Sequence, residues 1–165
     1  MLSHRLPCVL LGAVLAFTGG QSAAFAPRVD ATDACTLLTL QQVSAALEVT
    51  SQAGKHISPT IKTSCMWSDD TAASVDHRRV TLSIMRPQGF DMPRSTGAMK
   101  TAPAQGIGDD AYYLLIGSAS PQLMVRKGSV QFSVRILNGF KFKPFTLDEE
   151  KAKEATLAQA ALKAL

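Results

Sequence analysis

The chain has 165 residues, with 17 basic against 13 acidic side chains, a formal charge of +4 and 46% hydrophobic residues. This length fits one ordinary domain, which buries roughly two-thirds of its unfolded surface and so can hold a core of its own. The basic residues are scattered as Arg78-Arg79, Arg126-Lys127 and Lys141 with Lys143; they lack the concentrated patch that nucleic acid requires and are expected as solvated charges at strand ends and turns.

In chain order, the first 24 residues read as a secretory leader. Arg5 supplies a positive start, Val9 to Phe17 is a short apolar run, and the small-residue stretch TGGQSAA follows. The run is too short to span a bilayer comfortably. Ala24-Phe25-Ala26 fits a cleavage frame but leaves Pro27 next to the cut, so Ser22-Ala23-Ala24 is preferred and the exported domain is expected to cover 25–165. Cys8 precedes the apolar run, where it cannot serve as a lipid-attachment cysteine. Beyond the leader no apolar run is long enough for a membrane span.

Two cysteines remain, Cys35 and Cys65. An even count in an oxidising compartment predicts a disulfide, and only one pairing is available. A redox or metal role asks for a C-x-x-C spacing or a nearby histidine, and neither stands next to these cysteines in the sequence. Thr39 and Gln42 form a capping box, Leu38 and Val43 are placed for a hydrophobic staple, and Leu40, Val43, Ala46 and Leu47 share one helical face, so a helix is predicted over about 40–48. Residues 50–61, with Gly54 and Pro59, read as an edge strand or a loop. Thr63 to Ser68 reads as a strand with Cys65 and Trp67 on one face, the tryptophan packing inward beside the disulfide.

The polar run 69–79 predicts a hairpin loop. Val80, Leu82 and Ile84 then alternate with Thr81, Ser83 and Met85 as a half-buried strand. Residues 87–105 are rich in Pro and Gly; a short helix around 94–101 is predicted there, placed to cover the sheet as a lid. From Gly106 to Ile136 three strand-length segments follow, the last with Val130, Phe132, Val134 and Ile136 alternating with Gln131, Ser133 and Arg135. Asn138-Gly139 signals a two-residue hairpin turn into Phe140-Lys141-Phe142. Thr146 and Glu149 form a second capping box and open a C-terminal helix, with a Glu149–Lys153 pair and a face of Ala155, Ala158, Leu162 and Leu165. Together these predict a single α+β domain, an antiparallel sheet of about five to six strands with the N-terminal and C-terminal helices packed on it.

DACTLLT leading into a helix, then SCMW, PAQGIGDDAYY, LMVRKG-x-x-x-F-x-V and a C-terminal helix, in this order over residues 33–165, resemble small exported domains and lipoproteins of unknown function. Some of these look related to the extracellular sensor domains of receptor kinases. The resemblance implies an antiparallel sheet with flanking helices and a Cys35–Cys65 bridge, and no agreed activity. The chain departs from the lipoprotein members in lacking the anchoring cysteine.

Gly106-Ile107-Gly108-Asp109-Asp110-Ala111 matches a variant dinucleotide fingerprint, but Pro103 precedes it and a strand follows, the reverse of the strand-to-helix context that puts phosphate on a helix N-terminus. A tight turn, with Asp109 or Asp110 bonding local backbone N–H groups, is expected instead, and no cofactor is expected. His56 and His77 sit in polar stretches. No G-x-S-x-G elbow is present, though a Ser/His/Asp site assembled from distant parts would involve Asp76 or His77. Asp69-Asp70 with Asp109-Asp110 lack a calcium-loop spacing, and no metal is expected. With Val80, Leu82, Ile84, Leu123, Val125, Phe132 and Val134 facing the core, the opposite face carries Thr81, Ser83, Met85, Met124, Arg126, Ser133 and Arg135, with one of Tyr112 and Tyr113. Mild apolar area, hydroxyls and two arginines suit an anion-tipped small molecule or a protein partner, and Ser83, Met85, Met124, Arg126, Ser133 and Arg135 are the candidate ligand or partner face. The expected function is an exported, non-enzymatic binding or sensing module. A protein–protein interaction or inhibitor domain is the alternative, and a small exported hydrolase the third reading.

Overall fold

Seven strands make one antiparallel sheet. They are β1 (Lys55–Ser58), β2 (Ile61–Ser68), β3 (Arg79–Met85), β4 (Lys100–Pro103), β5 (Asp110–Leu115), β6 (Gln122–Lys127) and β7 (Val130–Leu137), in the spatial order β1-β2-β3-β7-β6-β5-β4. Among the described residues three α-helices accompany them, α1 (Leu40–Leu47), α2 (Pro87–Ser95) and α3 (Leu147–Ala164). The computed structural model describes residues 33–69, 76–97, 99–115 and 120–165, so the leader expected over 1–24 lies outside the described residues. Among the described residues no helix is long and apolar enough to cross a membrane.

The α+β class is as expected, with seven strands instead of five to six. The edge strands are β1, which takes the strand alternative read for 50–61, and β4, which is unexpected, four residues each. Their apolar alternation is too short to read; backbone pairing to β2 and β5 creates them. Edge placement also explains how Pro103 fits, since its missing N–H costs no ladder bond on an edge.

Both terminal helices lie on the same face. Val43, Ala46 and Leu47 of α1 and Leu157, Ala158 and Ala161 of α3 bury against Cys65, Trp67, Val80, Leu82, Val125, Phe132, Val134 and Ile136. Both predicted capping boxes are formed, at Thr39–Gln42 and Thr146–Glu149, and the staple residues Leu38 and Val43 are buried. The Cys35–Cys65 disulfide is present and ties the short 3-10 turn Ala34–Thr36, just before α1, to β2. Trp67 packs inward as expected, 2% exposed. Gly54 makes room for it: a Cβ there would lie 2.5 Å from the indole Nε1 and 2.8 Å from the Cys65 sulfur.

Four local expectations are corrected. Leu40 is exposed. The buried stripe of α3 is Glu150, Glu154, Leu157, Ala158 and Ala161, rotated from the expected Ala155, Ala158, Leu162 and Leu165, because Glu154 turns inward to accept the Ile136 N–H at 2.9 Å. Glu149 caps its own helix, and Lys153 reaches Glu48, the C-cap of α1, at 2.6 Å in place of a Glu149 pair. The lid helix lies at 87–95, not 94–101, because Pro87 fits the first helical turn, where an N–H is unneeded.

The Asn138-Gly139 signal is also not a hairpin. No strand follows β7; the chain runs through 138–146 into α3. Gly139 is required here by close approach, since a Cβ would lie 2.0 Å from the Asp76 carbonyl oxygen. Buried Arg78 holds the segment down. Its guanidinium donates to the Leu47 and Lys143 carbonyls, both at 2.8 Å, and stacks over Phe142 and Phe145.

Candidate functional site

Strand alternation puts all six predicted residues, Ser83, Met85, Met124, Arg126, Ser133 and Arg135, on the sheet face opposite α1 and α3. Register sorts them into rows. One row runs Ser64, Ser83, Ser133, Met124, Tyr112, and a second runs Met85, Gln131, Arg126, Asp110. The hydroxyls are bonded along the first row, Ser64 to Ser83 at 3.0 Å, with the Gln122 amide donating to Ser133 at 2.8 Å. The expectation that one of the two tyrosines joins this face is met by Tyr112; Tyr113 joins the main core and donates to the Lys151 carbonyl at 2.9 Å.

The β5–β6 end of the face is occupied by α2. Phe90 is fully buried and meets Tyr112 edge-on at 5.2 Å, with Leu114, Met124 and Met85 around it. The Tyr112 hydroxyl donates to the Phe90 carbonyl, and burial pushes the phenol pKa up. Above this small core Asp110 receives a two-pronged contact from Arg94, at 2.7 and 3.1 Å, and a third bond from Arg126 at 3.0 Å. The Arg94 guanidinium beside it, with help from Arg126, holds the Asp110 carboxyl below its usual range. Asp91 adds a looser contact to Arg126 at 3.5 Å. Arg126 is thus spent on the strap that holds α2. It also stands apart from Arg135: its partner on β7 is Gln131, four residues from Arg135, or about 13 Å along the strand. The two predicted arginines do not share one anion.

A different pair does converge. Thr81 is opposite Arg135, and Arg79 lies two residues before Thr81 on the same face. This makes Arg79 and Arg135 diagonal cross-strand neighbours, about 7–8 Å apart at Cα and within reach of one ligand for side chains this long. The Nε of each is shielded from water and has no hydrogen-bond partner among the described residues. Neither guanidinium has a carboxylate within salt-bridge distance there. Compared with protein-family models, curated proteins and solved structures, the chain matches none. The chemistry of the face is therefore read from its own residues. Arg79 was missed in the sequence because it opens its strand beside another arginine, where it looks like a solvated end charge; period-2 counting back from Thr81 is the signal that finds it.

The other polar groups separate into distinct sites. Asp109 is bound by Lys127 and by the Gly128 N–H, each at 2.7 Å, so it caps the β6–β7 turn and not its own. Gly106 and Gly108 take positive φ of 74° and 61°, as a turn requires. Asp69 directly follows β2 and Asp110 opens β5, with three strands between them, roughly 19 Å apart at sheet spacing, and they cannot hold one cation; Asp70 lies outside the described residues. Ser68 donates to Asp69 at 3.5 Å and His77 contacts the same carboxylate oxygen at 2.9 Å. The carboxylate stands between hydroxyl and imidazole, whereas nucleophilic relay needs the imidazole in the middle.

One expectation about the disulfide is overturned. A histidine does lie beside it: His56 faces Cys65 across the β1–β2 pair, and its Nε2 is 2.8 Å from Asp33. His56, followed by the Cys35 N–H, holds the Asp33 carboxyl below its usual range. The sequence hid this because His56 lies 21 residues after Cys35, and only the β1 edge pairing brings them together.

Proposed function

We propose that the chain is an exported, non-enzymatic binding or sensing module whose outward sheet face takes a small molecule ending in a carboxylate or phosphate. The supporting observation is the Arg79–Arg135 pair, two neighbouring guanidiniums with shielded, unpartnered Nε atoms on a face whose next row is serine hydroxyl. Arginine's planar fork suits two-pronged contacts to such groups, and its charge stays on at any physiological pH. Thr81 lies between the two arginines, with half-buried Ser83 one row further to orient the rest of the ligand and half-buried Met66 to offer apolar contact. The leader pattern of residues 1–24, the disulfide and the likeness of the D-A-C-T-L-L-T and following motifs to exported sensor domains support placement outside the cytosol.

The test is a thermal-shift and calorimetric screen of the oxidised domain against di- and tricarboxylates and phosphomonoesters. A binder from this class should lose roughly tenfold to a hundredfold in affinity in Arg79→Ala and again in Arg135→Ala, because a hydrogen bond to a charged group contributes about 1.5–3 kcal/mol. The unliganded melting point should move little. Arg126→Ala, which touches the α2 strap, is the comparison and should leave affinity within a few-fold. Equal loss in all three variants, or no anion that raises the melting point, rejects this reading.

A further inference from the structure

We propose that Asp33, Cys35, His56 and Cys65 form a zinc site that is closed while the disulfide is intact and opens when it is reduced. Among the described residues, the ligand atoms of Asp33, Cys35 and His56 lie within 4.8 Å of one another. Cys65 stands outside this group of three, but its sulfur is bonded to that of Cys35 and becomes available as a fourth ligand once that bond is broken. A tetrahedral zinc ion, with bonds of about 2.0–2.3 Å to nitrogen, oxygen and sulfur, sets its ligands roughly 3.4–3.8 Å apart, so inward shifts of an ångström or less bring the three together and the freed sulfurs separate to fit. Three features make the cluster a built site. Asp33 is fixed by the Cys35 N–H at 2.9 Å and is already in contact with His56. Asp33 is the N-cap of the 3-10 turn that carries Cys35, with its carbonyl also accepting the Thr36 N–H at 3.0 Å, so carboxylate and sulfur move as one unit. The Asp33 and His56 side chains are 28% and 26% exposed, which leaves an approach for the ion, while Cys65 is fully buried behind them.

The gate is chemical. In the disulfide neither sulfur is a thiolate, and a carboxylate with one imidazole is a weak zinc site. A dithiol reductant of the exported compartment attacks the disulfide and is itself oxidised to a disulfide, passing two electrons and two protons to Cys35 and Cys65. Zinc then replaces both thiol protons, which go to solvent, and takes the lone pair of the neutral His56 imidazole. In the reverse direction a disulfide oxidant takes two electrons from the two thiolates and two protons from solvent to become a dithiol, the Cys35–Cys65 bond re-forms and the ion leaves. With metal bound, the turn before α1 stays joined to β1 and β2 although the crosslink is gone.

The experiment uses the full exported domain, oxidised or reduced anaerobically with a phosphine, and titrates Co2+ as a spectroscopic stand-in, then Zn2+. The reduced protein should bind one ion per chain with thiolate-to-cobalt absorption in the near ultraviolet, and the oxidised protein should show none. His56→Ala should weaken metal binding at least tenfold while leaving the oxidised melting point nearly unchanged. Circular dichroism during the titration covers the case in which reduction unfolds the chain, when zinc should restore the native spectrum. Absence of the thiolate band, binding that ignores His56, or binding without recovery of the fold each overturns the proposal; the last two describe an unfolded chain chelating through its cysteines alone.

Discussion

Among the described residues Glu154 carries the largest displacement in pKa. It is fully buried, with one oxygen accepting the Ile136 N–H and the other unpartnered among the described residues. Burial pushes its pKa up to about 9, with neighbouring Glu150 adding to the rise and Arg135 opposing it. The sign follows directly. Between about 4.5 and 9 the folded chain keeps a proton that the unfolded chain has released, so the folded state binds more protons and stability falls as pH rises. The contribution is complete below the unfolded pKa and lost as pH climbs through the folded one. Unfolding free energies from denaturant titrations at pH 5.5, 7 and 8.5 should fall steadily, by up to about 1.4 kcal/mol for each pH unit. Glu154→Gln keeps the acceptor for Ile136 without the proton, and should flatten that slope by one proton and be the more stable protein at pH 8.5. An unchanged slope would show that Glu154 is ionised in the fold.

At the scale of elements, α2 is the part with the least of its own to stand on. It has nine residues, an internal Pro93, no side-chain cap and a single buried residue, Phe90. Its hold on the sheet comes from Phe90 packing on Tyr112 and from the Arg94–Asp110–Arg126 contacts. Arg94 also lies 3.9 Å over the Tyr112 ring, so ion pair and aromatic contact share one side chain. Asp110→Asn removes the charge that both arginines share. Amide hydrogen exchange over 87–95 should then speed up about tenfold or more, while exchange in β3 and β7 and the melting point change little, because local opening of such a segment lies far below global unfolding. A uniform rise across the sheet would mean that α2 and the sheet form one cooperative unit.

The whole molecule depends on a junction between segments far apart in sequence. β3 and β7 pair over seven register positions at the centre of the sheet, Arg79 with Leu137 through Met85 with Gln131, joining an N-terminal meander to a C-terminal one. Contacts of this separation close a long loop before they stabilise anything, so folding is slow for the size of the domain. The disulfide acts within the N-terminal half, across a separation of 30 residues. Constraining a loop of that length in the unfolded chain is worth roughly 3–4 kcal/mol, a large share of a small domain's net stability. The oxidised protein should show no free thiol when denatured. Metal-free reduction and Cys65→Ser should lower the melting point to a similar degree. Two titratable thiols in freshly purified, unreduced protein would contradict the crosslink.

The sequence by itself determined what rests on local or one-dimensional rules. Capping boxes at Thr39–Gln42 and Thr146–Glu149 depend on neighbours three residues apart. The facing of Val80, Leu82, Phe132 and Val134 depends on the period of the strand, and the disulfide depends on a count of two. Those rules also placed all six candidate residues on one face, since alternation is inherited by every strand that alternates. Only the tertiary structure decided which residues meet across that face. Pairing of β3 with β7 fixes Arg79 beside Arg135 and leaves Arg126 one strand over and four residues away, in the hands of Asp110. The same holds for His56 at the disulfide, for Gly139 against Asp76 and for Glu154 turned into the core. Each is a contact between positions at least 18 apart in the chain, selected by register, close approach and the need of a buried N–H for an acceptor, and no local pattern records that selection.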